Sequence, residues 1–445
     1  MASAIAWYLA PFNEDSTGFQ VQRMFSLFAR YCADPIQQLT WSASVVSPVT
    51  RNAKGSTMPQ FGLEEYARRL ARTKEEMMQR RIEVLLITSP ENMNYLTGYD
   101  AWSFYTHQMV IVALDHQPVW VGRGIDVPCA TSTAYLPSSD VIGYPDHYVQ
   151  STERHPMEFV AQELDRRGLG NRVVGVEMDN YFFTARCFER LQSSLPNCTF
   201  KDGSNLVNWV RIIKSEAEVE LIKQAGVIAD CAMRAGIDAI TPSMRQCDLA
   251  ARIMQAQITG TESFGGAVPG GLVMGIGPRA DAPHLSWTDD PVGSDVVVNI
   301  ELGGCRARYH AGLARSVYLG TPPGQLRQLA AVVREGMETV LSAIAPGRVC
   351  SEMEEVWRNV ISRHGLNKSS RIGYSIGLGY PPDWGEHTAS LRPGDTTELQ
   401  PNMIFHVILG MWQGELSFVL SETIRVTEKG CESFSRMPRE LFAVS

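Results

Sequence analysis

Several familiar signatures are missing from this chain. No apolar run approaches the ~20 residues that span a bilayer as a helix, so no membrane partner is expected. Positive charge is not in excess. The formal net charge is −8, which argues against nucleic acid or an anionic membrane surface as the main partner. The nine cysteines include no Cys-x-x-Cys pair and no even spacing. In a chain this long they read as reduced, mostly buried thiols, and a cytoplasmic location is expected. There is no HExxH, no GxSxG, no phosphate-binding P-loop and no zinc-type Cys/His cluster. No stand-alone motif therefore declares the chemistry.

What is present is ordinary in bulk and uneven along the chain. Hydrophobic residues make up 44% and charged residues 20% of 445, values of a soluble globular protein with two or three domains. Residues 1–58 have no sustained period and are rich in Ser, Thr and Ala. They read as a disordered extension. Organelle targeting is a minor alternative, opposed by Glu14-Asp15 and the lack of an Arg-rich face.

Residues 59–208 alternate strands with helices, which makes an α/β domain. Leu63, Tyr66, Leu70 and Met77 share one helical face. Strands are expected at 83–88, 109–114, 118–122 and 172–177, with a helix over 157–167. Residues 209–440 form a second domain. Ser215 with Glu218 makes a capping box, and Ser351 with Glu354 makes another. Asp295 to Gly320 reads as a β-hairpin around a Gly-Gly turn, with Glu301 closing its first strand. β-rich runs follow at 403–409 and 418–426. The fold class is α/β in the broad sense, α+β in its second part.

The candidate chemistry is dispersed. Glu301 is an acid at the end of an apolar strand, costly to desolvate unless it is paired or used; a structural ion pair is the alternative. His284 lies on a Pro-flanked loop beside Trp287 and suits a ligand contact or a base near neutral pH. Tyr309 and His310 follow the hairpin turn on the same sheet. Glu422 interrupts an apolar β-run much as Glu301 does. The stretch 373–386 is dense in Gly, Pro and aromatics, including Tyr374, Asp383 and Trp384, and reads as a pocket wall. Trp102 belongs to an aromatic-polar cluster over 100–107, suited to a cationic ligand or to a domain interface.

Together these residues resemble the pita-bread superfamily of creatinase, prolidase and aminopeptidases, over about residues 60–440. The motifs are Arg211-Ile212-Ile213-Lys214-Ser215-Glu216 and the loop ending Pro283-His284. The resemblance implies a creatinase-like N-terminal domain and a pita-bread catalytic domain. It places the superfamily's five metal ligands at Glu301, near Gly312, at Tyr374, near Ile408, and at Ser421 or Glu422. Three of the five are replaced by groups unable to take the role, so no metal and no cofactor are expected, as in the metal-free branch. The segments 93–100, 143–156 and 380–386 are similar to ectoine hydrolases. That likeness implies hydrolysis of the cyclic amidine of ectoine, or of 5-hydroxyectoine, to an N-acetyl-2,4-diaminobutyrate. It also implies a homodimer and a deacetylase acting next. The alternatives are a creatinase-like or Xaa-Pro peptidase-like hydrolase, a dimethylsulfoniopropionate lyase, or a non-catalytic scaffold. In the first reading His284 or Glu301 activates water, and Glu422 holds the protonated ring or relays a proton. Tyr309 or His310 steadies the tetrahedral intermediate. Trp102, Tyr374 and Trp384 are walls, Asp383 contacts substrate, and Arg392 holds its carboxylate.

Overall fold

The computed structural model describes residues 60–413 and 416–444. The extension expected over 1–58 lies outside the described residues. A helix over Leu63–Gln79 leads into a six-stranded sheet. Its strands are β1 (Val84–Ile87), β2 (Met109–Ala113), β3 (Val119–Arg123), β4 (Val141–Tyr144), β5 (Val173–Val176) and β6 (Thr199–Asp202). Their order is β4-β3-β2-β1-β5-β6. β1 is buried throughout, as expected of a central strand covered on both faces. Helices over Pro156–Arg166 and Ala185–Ser194 cover one face through Met157, Val160, Leu164 and Leu191.

The helix over Glu216–Ala239 opens the next part, and its N-terminus carries the expected capping box of Ser215 and Glu218. A four-stranded sheet follows, ordered β15-β9-β8-β7. It is built from β7 (Leu272–Ile276), β8 (Val296–Arg306), β9 (Tyr309–Leu319) and β15 (Phe442–Val444). A five-stranded sheet, ordered β11-β10-β12-β13-β14, faces it. Its strands are β10 (Gly373–Ile376), β11 (Gly385–Ser390), β12 (Ile404–Gln413), β13 (Leu416–Thr427) and β14 (Gly430–Ser433). The two sheets meet along β9 and β13. There the Val419 amide donates to Ser316 Oγ at 2.8 Å and Thr423 Oγ1 donates to the Gly312 carbonyl at 2.9 Å.

Three expectations change. The hairpin turns at Ala307-Arg308, both at positive φ (48° and 69°), the two-residue geometry that matches strand twist. Gly303 and Gly304 instead lie inside β8 because neighbours press on them. A Cβ at Gly304 would stand 1.9 Å from the Ala225 carbonyl of the covering helix, and one at Gly303 2.7 Å from the Trp384 ring. Glu301 is therefore in mid-strand. The second capping box is displaced as well. The helix begins at Cys350, and the Glu352 carboxylate accepts the Val349 amide at 2.9 Å. Part of 373–386 is also regular, forming β10 and the start of β11 around a loop with a cis peptide between Pro381 and Pro382.

Candidate functional site

Side chains alternate along β8. Ile300 and Leu302 point into the core beneath the helices, with Ala229, Met233 and Ile253. Glu301 therefore faces the other way, toward the five-stranded sheet. It opens on a cavity of about 500 Å³ whose lining includes Lys368, Arg371, Tyr374, Trp384 and Trp412. His284 and Asp383 are on the same lining, His284 exposed at its rim.

The electrostatics of this pocket are unequal. Burial raises the Glu301 carboxyl to about 7, against the opposing pull of the Lys368 ammonium. Burial likewise lowers Lys368 to about 8, against the pull of Glu301. Lys368 Nζ stands 5.2 Å from the centre of the Trp412 ring, and the Arg371 guanidinium lies 4.4 Å over Tyr374. Arg371 donates to Ser390 Oγ at 3.1 Å. Neither cation has a carboxylate within ion-pair distance among the described residues. One carboxylate without an ion-pair partner, Glu301, and two unpaired cations thus share a pocket walled by aromatic rings.

Behind the wall runs a closed hydrogen-bond chain. Trp384 Nε1 donates to the Tyr374 hydroxyl at 2.8 Å. That hydroxyl, 3.1 Å from His406 Nδ1, then donates to the ring. The ring proton is left on Nε2, 2.7 Å from Ser421 Oγ. Burial, aided by the charge of Arg371, lowers His406 to about 3 and keeps it neutral.

Other expected site residues lie elsewhere. Glu422 is on β13 next to Ser421, so it faces away from the pocket. Its carboxylate accepts from Arg315 Nη2 at 2.7 Å and lies 3.2 Å from Arg439. Burial raises its carboxyl despite the two cations. Tyr309 is buried in a network behind the hairpin, donating to Glu218 at 2.9 Å and accepting from Arg69 at 3.3 Å. His310 accepts the Gly270 amide at 3.0 Å through Nε2 and so braces the loop that leads to β7. Burial lowers it to about 4, so it is no charged donor. Trp102 is 56% exposed, near Phe104 and Arg308, and does not line the cavity. Arg392 is exposed and away from it. Asp383 does line it, but its oxygens accept the amides of Trp384 and Gly385 and pair with His387 Nε2 at 2.8 Å. It shapes the loop that carries Trp384. The sequence reading missed Lys368, Arg371, His406 and Trp412. The only local signal was two cations three residues apart just before a β-run.

The chain matches Metallopeptidase family M24 over residues 220–428 and the Creatinase/Prolidase N-terminal domain over residues 69–213. An uncharacterized hydrolase/peptidase of Sinorhizobium fredii is 46% identical over 86% of this chain and 98% of its own. The chain belongs to the M24 family. The ectoine hydrolase of Halomonas elongata is 41% identical over 86% of this chain and 98% of its own. The prolidase of Thermococcus sibiricus shares the fold at a TM-score of 0.75 and 18% identity, covering 85% of this chain and 99% of that one. The prolidase of Pyrococcus horikoshii does so at 0.72 and 21%, covering 84% and 99%.

The family name implies metal, and the residues of this M24 chain do not fit one at this site. At the positions where ligands are expected, Gly312 has no side chain and Ile408 offers no donor. Tyr374 and Ser421 are both committed to His406. The His406 ring fills the space in front of Gly312, where a Cβ would meet it at 2.9 Å. Only Glu301 remains as a free oxygen donor, and a hard or borderline divalent ion needs several.

Removing one partner of the Glu422 pair tests its assignment. Glu422→Gln is expected to destabilise the protein by about 3 kcal/mol, because Arg315 is left buried without its counter-charge. Thermal unfolding should show the loss, while kcat at 25 °C stays within about threefold, the range of a residue that never meets substrate.

Proposed function

We propose that this chain hydrolyses the cyclic amidine of ectoine to N-acetyl-2,4-diaminobutyrate without a metal. The observation that carries the reading is the one uncommitted carboxylate, Glu301, sharing an aromatic-walled cavity of about 500 Å³ with two unpaired cations. Ectoine is a zwitterion with a carboxylate and an amidinium. Lys368 and Arg371 suit the carboxylate, and Glu301 suits the amidinium, accepting a charge-assisted hydrogen bond from one of its N–H groups. The aromatic faces of Tyr374, Trp384 and Trp412 suit the flat cationic ring. The 41% identity to the Halomonas elongata ectoine hydrolase supports the same substrate.

Opening the ring needs a water at the amidine carbon and a proton on the departing nitrogen. A carboxyl held near 7 by burial does both. Ionised by the amidinium, Glu301 takes a proton from the attacking water as the carbon–oxygen bond forms. It returns that proton to the ring nitrogen as the carbon–nitrogen bond breaks. The hydroxyl of the tetrahedral intermediate gives up the second water proton to the departing amine, so the oxygen stays as the amide carbonyl and the nitrogen leaves as an ammonium. His284 stands at the mouth, where the substrate enters. The same reading makes the protein a cytoplasmic homodimer whose product passes to a deacetylase. Trp102 and Tyr105, exposed at 56% and 70%, offer a surface for a second copy.

Turnover of ectoine, 5-hydroxyectoine, creatine and a Xaa-Pro dipeptide, with and without EDTA or manganese, tests the reading. Ectoine should be the substrate, and neither addition should change its rate by more than about twofold, since no metal enters the step. Cleavage of the dipeptide dependent on manganese would overturn it.

A further inference from the structure

We propose that His107, His155 and Cys187 form a binding site for zinc, or a similar borderline divalent cation, in the α/β domain. None of the three lines the cavity of Glu301. One ligand atom from each lies within 4.8 Å of the others. Cys187 Sγ is 3.6 Å from His107 Nδ1 and 3.9 Å from Nε2. The two imidazole rings are 4.9 Å apart between centres. Around a tetrahedral zinc, with bonds of about 2.3 Å to sulfur and about 2.0–2.1 Å to nitrogen, sulfur and nitrogen stand about 3.6 Å apart. Cys187 and His107 are already at that spacing, and His155 has about 1 Å to close.

The surroundings favour a metal thiolate. Cys187 is in the first turn of the helix Ala185–Ser194, where the helix dipole stabilises negative sulfur. The Thr184 hydroxyl lies 3.3 Å from Sγ, within reach to donate to a thiolate there. The His107 ring donates to the Phe182 carbonyl, the outer hydrogen bond that orients a metal-binding histidine. His107 and His155 are partly accessible and Cys187 is buried, so an ion can enter and water can complete the fourth position.

Three features oppose binding. Burial raises the Cys187 thiol above its ordinary value, against the opposing pull of its contacts with Thr184. Arg186 and Arg190 both face His155, although Glu158 pairs with Arg190 at 3.2 Å. His155 Nδ1 also accepts the Met157 amide at 3.2 Å as the N-cap of its helix, a bond given up when that ring turns to the ion. Binding releases one proton, from the Cys187 thiol to solvent, and leaves both histidines neutral. The ion would tie the start of β2 to the first turns of two helices.

The full-length protein, stripped with a chelator, is titrated with cobalt(II) and then zinc. We expect about one equivalent of cobalt with a thiolate-to-cobalt charge-transfer absorption that zinc abolishes, and one proton released per ion. Cys187→Ser should lose the absorption. His155→Asn, which keeps a capping side chain, should bind at least about tenfold more weakly. Glu301→Gln should bind as the wild type does, which separates this site from the pocket. Zinc should raise the melting temperature without changing ectoine turnover at 25 °C. Absence of stoichiometric binding, an absorption that survives Cys187→Ser, or one lost in Glu301→Gln would overturn the proposal. If Cys187→Ser does not fold, the wild-type cobalt spectrum and proton release decide alone.

Discussion

Glu301→Gln is expected to lower kcat on ectoine by at least ~10², the usual scale for removing an acid–base group. The side chain keeps its shape and the fold survives. Stability should change in a direction that a structural ion pair would not give. Burial raises the carboxyl from 4.5 to about 7. Between those values the folded state binds more protons than the unfolded state, so the wild type loses stability as pH rises through that window. At pH 8 the ionised side chain costs the fold on the order of 3 kcal/mol, since each tenfold change in proton affinity corresponds to about 1.4 kcal/mol. Glu301→Gln should therefore raise the melting temperature at pH 8 and leave it nearly unchanged at pH 4. A kcat within about threefold of wild type, or a melting temperature lowered at pH 8, would refute the assignment, since loss of an acid–base group moves kcat far more.

Lys368→Met should raise KM for ectoine by roughly 10- to 100-fold, the scale of a lost hydrogen bond to a charged group. The change in kcat should be smaller, because the carboxylate of the substrate is bound alike in the ground and transition states. The pH profile distinguishes this role from packing. In the wild type kcat/KM should be bell-shaped, with limbs near 7 and 8 that belong to the Glu301–Lys368 pair jointly. The acidic limb is ionisation of Glu301. The basic limb is loss of the Lys368 proton, whose affinity burial has lowered from 10.5. Lys368→Met should remove the basic limb and move the acidic limb to higher pH, because the lysine charge no longer assists Glu301. Lys368→Arg should restore much of the affinity and push the basic limb out of range. An unchanged KM in Lys368→Met would exclude this residue as the carboxylate contact.

The elements themselves were legible because each rests on a local period. The buried run 84–87, the capping box at Ser215 and the long hairpin follow from alternation, helical spacing and side-chain caps, which neighbouring residues decide among themselves. The hairpin turn was misplaced because a Gly-Gly pair signals either a turn or a tight contact. Only the helix lying on Gly304 and the ring lying on Gly303 distinguish the two. Glu301 stood out for a local reason as well, as an acid closing an apolar run, although β8 in fact continues past it to Arg306.

The sequence by itself determined the two-part architecture, the candidacy of Glu301 and Trp384, and the loss of donor groups at Gly312 and Ile408. Those depend on residue type and local order. Tertiary structure alone decided which acid meets the pocket. Ser421 and Glu422 are adjacent on one strand, and the pairing of Ile408 with Ser421 and Val407 with Glu422 sends the hydroxyl inward and the carboxylate to Arg315. It also decided which cations face Glu301, and it brought His107, His155 and Cys187 together from three separate elements. A strand's period of two assigns residues to two faces, but which face is buried against what is set by contacts between segments far apart in the chain.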